Sequence, residues 1–190
     1  MSQDEEALPP ANGKEGVRLS RKVIYRNPWI NLYVDKIRMP NGHIIPEHHF
    51  LELGKGSVCA VMEDSQKRVL LIRLYRYPSD SIEWELPAGR MEEGEMPLEA
   101  IQRELLEETG YRAVHFEEML NYYPVNGISN HRMFLFRCLA AQKAGTFDPC
   151  EVTEVRWFDK QQILEMIREK KIMDGLSLTG LLYYLQFAQS

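Results

Sequence analysis

Residues 89–111 read GRMEEGEMPLEAIQRELLEETGY, and the fold turns on this stretch. A helix is predicted from Met96 or Pro97 through Thr109. Pro97 suits a first-turn position, where its missing N–H costs nothing. The acidic residues just before it suit the positive helix end, and Gly110 supplies the stop. Glu104 and Glu108 stand four apart and Glu107 three from Glu104, so all three carboxylates share one helix face. Like charges stacked in this way cost roughly a few tenths of a kcal/mol per pair in an isolated helix. Divalent cations between them would relieve the repulsion, and hard oxygen donors suit Mg²⁺ or Mn²⁺. The other face carries Leu98, Ile101 and Leu105 with the small Ala100 beside them. One face in a core and three carboxylates on the other make a metal platform. Gly89 and Gly110 are expected to let the backbone turn sharply at its two ends.

Outward from that helix the text is mostly strands. Leu19–Leu53 alternates apolar and polar residues, and Asn41-Gly42 after Pro40 predicts a two-residue hairpin turn. Strands follow over Ser57–Glu63, Arg68–Tyr75 and Ile82–Leu86, the first two separated by a polar turn over residues 64–67. Past the helix, strands are predicted over Ala113–Tyr123, Met133–Ala140 and Glu151–Phe158. Amphipathic helices over Gln161–Lys170 and Ser177–Phe187 close the chain. That order predicts a mixed α/β sandwich and argues against an alternating parallel fold. Three segments are expected: a disordered tail over residues 1–17, an N-terminal β subdomain over 18–55 and the main domain over 56–190.

Composition sets the limits. The chain has 190 residues, 44% of them hydrophobic and 27% charged, which is enough apolar material for a sizeable core. With 23 Lys+Arg against 28 Asp+Glu the net charge is −5, a poor basis for binding nucleic acid. No apolar run reaches the roughly 18 residues that cross a bilayer, and the acidic, Pro-rich start does not read as a secretory signal. Neither a nucleic acid nor a membrane is therefore expected as a partner. Three cysteines without Cys-x-x-Cys spacing argue against a disulfide framework and fit a reducing cytoplasm. Cys59 and Cys138 lie in apolar strand text and read as inert core thiols. Gly54-Lys55-Gly56-Ser57 lacks the spacing of a phosphate loop. His48 and His49 are adjacent, so on a strand they point to opposite faces and cannot pair on one metal.

The 89–111 segment resembles the signature of the Nudix hydrolases, G-x5-E-x7-R-E-U-x-E-E-x-G-U with U bulky and aliphatic. Gly89, Glu95, Arg103, Glu104, Leu105, Glu107, Glu108 and Gly110 fit; only Tyr111 departs, at the last place. The resemblance implies an α/β/α sandwich of mixed sheets with a loop–helix–loop metal motif that cleaves a diphosphate linked to another moiety. It gives Glu104 and Glu108 the role of principal metal carboxylates and Glu107 a supporting one. In the sugar-nucleotide branch it makes the Ala88 carbonyl a further ligand. It makes Arg103 and Glu95 an ion pair bracing loop against helix.

The flanks resemble the ADP-ribose and nucleoside diphosphate-sugar pyrophosphatases, in which a Tyr-Arg pair and E-L-P-A-G precede the signature. By that likeness Arg76 contacts substrate, as a guanidinium fork suits phosphate oxygens, or is a plain strand-end arginine. Glu85 is either an outer contact of the metal site or a brace between strand and loop. The 18–55 region resembles a subdomain that packs or exchanges across a homodimer. There Trp29 stacks on a purine base or fills the sandwich; stacking would be worth roughly 1–3 kcal/mol. The loop over residues 123–131 resembles one that ends in a water-activating glutamate, but Asn130-His131 stand at that place. Three sources of the general base stay open: Glu151 or Glu154 near the last strand, His131, or Glu107 beside a water already acidified by the cations. The expected activity is Mg²⁺-dependent cleavage of ADP-ribose, ADP-glucose or a GDP-sugar to NMP and sugar phosphate. The alternatives are dinucleotides or dinucleotide polyphosphates as substrates, or a module that binds nucleotide without cleaving it.

Overall fold

The computed structural model describes residues 16–187. The expected tail therefore falls outside the described residues except for Gly16 and Val17, and Val17 already opens the first strand. The chain forms two compact units, one running to Gly54 and including Val125–His131, the other comprising Lys55–Pro124 and the residues from Arg132 onward.

The first unit is a three-stranded antiparallel sheet of β1 (Val17–Arg26), β2 (Asn31–Arg38) and β3 (Ile44–Glu52), in that order. Arg21 crosses from β1 to form a fork on Asp35 at 2.8 and 2.7 Å, and its guanidinium lies 4.0 Å over the Tyr33 ring. The β2–β3 connection is longer than the two-residue turn expected. It spans residues 39–43, closed by Met39 N–H donating to the His43 carbonyl at 2.8 Å. The Asn41 side chain accepts from His43 N–H at 3.0 Å, so Asn41 organises the loop through its side chain. Residues 125–131 join this unit through Leu51 N–H, which donates to the Ile128 carbonyl at 2.7 Å.

The second unit is built on β4 (Ser57–Glu63), β5 (Val69–Arg76), β6 (Ser81–Glu85), β7 (Ala88–Arg90), β8 (Tyr111–Tyr122), β9 (Met133–Lys143) and β10 (Glu154–Phe158). Its helices are α1 (Pro97–Thr109), α2 (Lys160–Arg168) and α3 (Gly175–Phe187). The strand order is β10-β5-β4-β9-β8, with β6 on β5 and β7 on β4. Only β4 and β9 run parallel. Central β4 is apolar on both faces, as a strand covered by helices on each side must be. Cys59 and Val61 join Leu71, Leu86 and Leu135 in a core with Ile163, Leu181 and Tyr184 of α2 and α3. Val58, Ala60 and Met62 face the other way, into a core with Ala100, Ile101 and Leu105 of α1. The unit is thus the expected α/β/α sandwich. Each fully buried Leu- or Ile-sized side chain contributes about 1.5–3 kcal/mol. The second of these cores fixes where α1 stands against β4.

Two local expectations are corrected and one short strand is added. Leu98 does not join the apolar stripe of α1; it stays exposed near the helix start. The three-residue β7 has no apolar period and arises because Ala88–Arg90 pairs with β4. The last strand starts at Glu154, because Asp148 collects the Glu151 and Val152 N–H groups at 3.2 and 3.0 Å and turns the chain first.

Candidate active site

Helix α1 starts at Pro97, where the Glu99 carboxylate accepts Met96 N–H at 2.9 Å, and ends at Gly110 with φ 72°. That left-handed residue is cheap only for glycine. Between these ends the helix lays two carboxylates against β7. Glu108 accepts the Ala88 N–H at 2.9 Å. Glu104 lies over Gly89, where a Cβ would overlap its carboxylate. Gly89 is therefore required for a different reason from the one expected. Its backbone is not left-handed and does not turn sharply; the strand must lack a side chain so that Glu104 can reach it.

The charge balance here is unusual. Glu108 is only 7% exposed and, among the described residues, forms no ion pair. Burial pushes its carboxyl up to about 8, with the Ala88 N–H opposing and the Glu104 charge adding to the rise. Glu104 is also raised by burial, although Arg103 lies beside it; the Glu107 and Glu151 charges add to the rise. Arg103 is the hub. Its Nε and Nη2 fork onto Glu95 at 2.9 Å each, and Nη2 also reaches the Arg90 carbonyl at 3.0 Å. Its Nη1 spans Glu104 at 2.8 Å and Glu107 at 3.1 Å. The fork holds the Glu95 carboxyl below the usual glutamate range, and Glu95 in turn raises the guanidinium.

Among the described residues no three His, Cys, Asp or Glu side chains are gathered as a ready ligand set. The reason is visible: Glu107 is solvent-facing and, with Glu104, is drawn to Arg103. The donors nonetheless fit a hard divalent cation. They are all oxygens, two of the carboxylates are desolvated, and for Glu108 burial outweighs the opposing Arg76 charge and the Ala88 N–H.

Glu151 lies in the turn after β9, which is tied to α1 by Asp148 N–H donating to the Glu107 carbonyl at 3.1 Å. Its charge raises both Glu104 and Glu108, so the three carboxylates share one electrostatic neighbourhood. Glu154 is instead paired across the sheet with Arg73 at 3.6 Å and also contacts Arg156 at 3.8 Å. Arg76, at the end of β5, forks onto Glu85 through Nε at 2.9 Å and Nη2 at 2.7 Å. Both oxygens of the buried Glu85 are spent on that fork, which favours the brace among the two roles left open. The Glu85 contact raises the Arg76 guanidinium, with Asp174 and Glu108 adding to it.

His131 and Trp29 belong to the other unit. His131 N–H donates to Ser129 Oγ at 3.1 Å, and the ring is half-buried. Trp29 is 68% exposed on a turn where Asn27 Oδ1 accepts the Trp29 and Ile30 N–H groups, so it does not fill a core. Two residues escaped the sequence reading. Buried Ser177 accepts Leu86 N–H at 2.9 Å and donates to Asp174 Oδ2 at 2.8 Å, tying α3 to the segment that leads into β7. An Asp three places before a Ser at the start of an apolar helix is a capping pattern and would have flagged the pair.

Residues 55–176 match the family model of the NUDIX domain, and residues 17–51 match the nucleoside diphosphate sugar hydrolase N-terminal domain. The chain belongs to the Nudix hydrolase family. Over 165 residues it is 29% identical to the CMP-5'-(N-acetyl-N-hydroxy-3-aminopropyl)phosphonate hydrolase of Streptomyces rubellomurinus, covering 86% of this chain and 79% of that one. It is 25% identical over 175 residues to the ADP-ribose pyrophosphatase of Bacillus subtilis, covering 90% and 93%. Among solved structures it resembles an ADP compounds hydrolase with a TM-score of 0.79 at 15% identity, over 92% of this chain and 95% of that one. That last likeness speaks for the fold.

Proposed function

We propose that the protein is a Mg²⁺-dependent pyrophosphatase that cleaves a nucleoside diphosphate sugar, ADP-ribose first among them, into NMP and sugar phosphate. The observation that carries this reading is the pair of desolvated carboxylates, Glu104 and Glu108, docked on the Ala88–Gly89 backbone. The N-terminal match to sugar-nucleotide hydrolases and the ADP-ribose pyrophosphatase relative support the substrate class. Glu104, Glu108 and the Ala88 carbonyl would hold the cation, with Glu107 in support. When bound, Mg²⁺ neutralises the diphosphate and acidifies a water. Glu151 takes the proton from the attacking water; its charge reaches both buried carboxylates, whereas Glu154 is committed to Arg73. His131 then serves its loop. Arg76 donates to the substrate's phosphates or sugar, held in place by Glu85.

The segmentation into a tail, a β subdomain over 18–55 and a Nudix domain over 56–190 is part of this reading. We infer a homodimer built through the β1–β3 sheet. The support is that sheet's exposed Val23, Ile24 and Tyr25, a run of large apolar side chains that a lone surface strand would seldom carry. Trp29 is then the residue offered to the base. No helix among the described residues is long and apolar enough to cross a membrane. A cytoplasmic location rests on the unpaired cysteines, of which Cys59 and Cys138 are buried.

The test is a panel of ADP-ribose, ADP-glucose and a GDP-sugar with Mg²⁺, read by phosphorus NMR. Appearance of NMP and sugar phosphate, abolished by EDTA, is the expected result. Binding with unchanged nucleotide would instead indicate a sensing module. The Streptomyces relative keeps a second outcome in view: preference for a nucleotide joined to a group other than a sugar.

A further inference from the structure

Arg76 and Glu85 also border a cavity of about 480 Å³ whose other walls have no role in the site described above. Its walls are Arg76, Pro78, Glu83, Glu85, Met173 and Asp174, with Gly175 at the start of α3. That volume lies in the range of small-molecule sites.

Two charged side chains on its wall are fixed in the same way. Asp174 is held through one oxygen only: Oδ2 accepts Ser177 N–H at 2.7 Å and the Ser177 hydroxyl at 2.8 Å. Arg76 is held through Nε and Nη2 by Glu85. Among the described residues Asp174 Oδ1 and Arg76 Nη1 make no further hydrogen bond, and the two groups do not pair with each other. They are within electrostatic reach, since the Asp174 charge acts on the guanidinium. Each side chain thus has its geometry set in advance by part of its bonding capacity and keeps the rest, and both residues line the same cavity. Preorganised donors and acceptors of this kind bind without first paying to be ordered. The remaining acid is spent, because Glu83 accepts Ser81 Oγ–H at 2.6 Å and Met173 N–H at 3.1 Å.

We propose that this cavity is the subsite for the sugar half of the substrate, with Asp174 as the residue that selects a hydroxylated group there. An oxygen acceptor and an N–H donor on the wall of one cavity supply the two kinds of partner that sugar hydroxyls need. One hydroxyl donates to Asp174 Oδ1, and the next accepts from Arg76 Nη1. Pro78 and Met173 supply apolar surface for the C–H edge of a ring. A second anionic group is disfavoured, because Asp174, Glu83 and Glu85 outnumber the single arginine. The cavity therefore suits a neutral polyol. The inference rests on the sugar-nucleotide reading of the active site.

The experiment compares wild type, Asp174→Asn and Met173→Trp by steady-state hydrolysis of ADP-ribose and ADP-glucose, with AMP inhibition measured in parallel. Asn keeps an oxygen for the Ser177 cap and replaces the free acceptor by a donor. Met173→Trp fills the cavity from an exposed position without touching the cap. Each is expected to raise KM for both sugar nucleotides about tenfold, the worth of one charge-assisted hydrogen bond. AMP, which lacks the second moiety, should inhibit all three proteins equally. Melting temperatures check that both variants fold; if Asp174→Asn does not, Met173→Trp decides. Unchanged KM in a folded variant, or equal losses for AMP, overturns the subsite while the sugar-nucleotide reading stands. No hydrolysis of either compound by wild type overturns both.

Discussion

Arg103 and Arg76 each fork onto a glutamate, yet the two regions differ in what is left over. Arg103 is saturated, with Glu95, Glu104, Glu107 and the Arg90 carbonyl taking all of its nitrogens. Arg76 uses two of three on Glu85 and keeps Nη1. A saturated guanidinium can only brace what is already there, whereas a half-satisfied one can bind something new. The sequence motif around each looks equally charged, so the difference is set by geometry. Loss of the brace should be felt by the cation, and loss of the free fork by the substrate.

The largest effect is expected between these regions, at Glu108, whose charge reaches Arg76 and which rests on the Ala88 backbone. Glu108→Gln keeps the hydrogen bond from Ala88 but removes the anionic ligand. A loss of several kcal/mol of charge stabilisation lowers kcat by roughly a thousandfold, with circular dichroism unchanged. Near-normal turnover would remove Glu108 from the metal site. Glu151→Gln should follow with about a hundredfold loss in kcat, the usual worth of a general base. Glu154→Gln is the control on the far side of the turn and should change little. If Glu154→Gln were instead the damaging one, the order drawn from the Arg73 pairing would be wrong.

Arg103→Gln breaks the brace. Glu95 and the Arg90 loop lose their tie to α1, and Glu104 loses the partner that holds its rotamer. Mn²⁺ affinity, measured by calorimetry, is expected to fall 10–100-fold, as for other residues that orient metal ligands. Tighter Mn²⁺ binding would mean that Nη1 competes with the cation and that the brace reading is mistaken. Arg76→Lys should leave Mn²⁺ affinity alone and raise KM about tenfold, because an ammonium cannot both fork onto Glu85 and present a free N–H in plane.

Much of this was legible before any coordinates. The α1 boundaries follow from Pro97 and Gly110, and its apolar residues fall at helical spacing. The two-faced burial of β4 is written in its unbroken apolar run. What was not legible came from contacts between distant segments. Gly89 looked like a hinge because sequence shows only what glycine permits; that its missing side chain makes room for Glu104, fifteen places on, needs the packed helix. Leu98 fits the stripe by spacing but falls in the first turn of α1 and stays exposed there. Glu151 and Glu154 were indistinguishable in EVTEV, and one turn centred on Asp148 separates them. Ser177 holds Leu86 from ninety-one residues away, a distance no local pattern spans.

The last effect is one of stability, and it follows from the buried carboxyl that forms no ion pair. Glu108 titrates near 8 in the folded, metal-free protein and near the ordinary glutamate value of 4.5 when unfolded. Between those values the folded state holds a proton that the unfolded state has released. The stabilisation is therefore fully present below about pH 4.5 and is lost as pH rises through 8, with a slope of at most about 1.4 kcal/mol per pH unit. In chelator-treated protein, urea midpoints at pH 5, 6, 7 and 8 should show this component, and Glu108→Gln, which cannot ionise, should remove it. Saturating Mn²⁺ should flatten the wild-type slope as well, because a cation then balances the charge that the proton had cancelled. An identical slope in wild type and Glu108→Gln would assign the pH dependence to other groups. It would also mean that Glu108 is ionised without cost, and that Arg76, whose charge acts against the rise, balances it as fully as Arg103 balances its own neighbours.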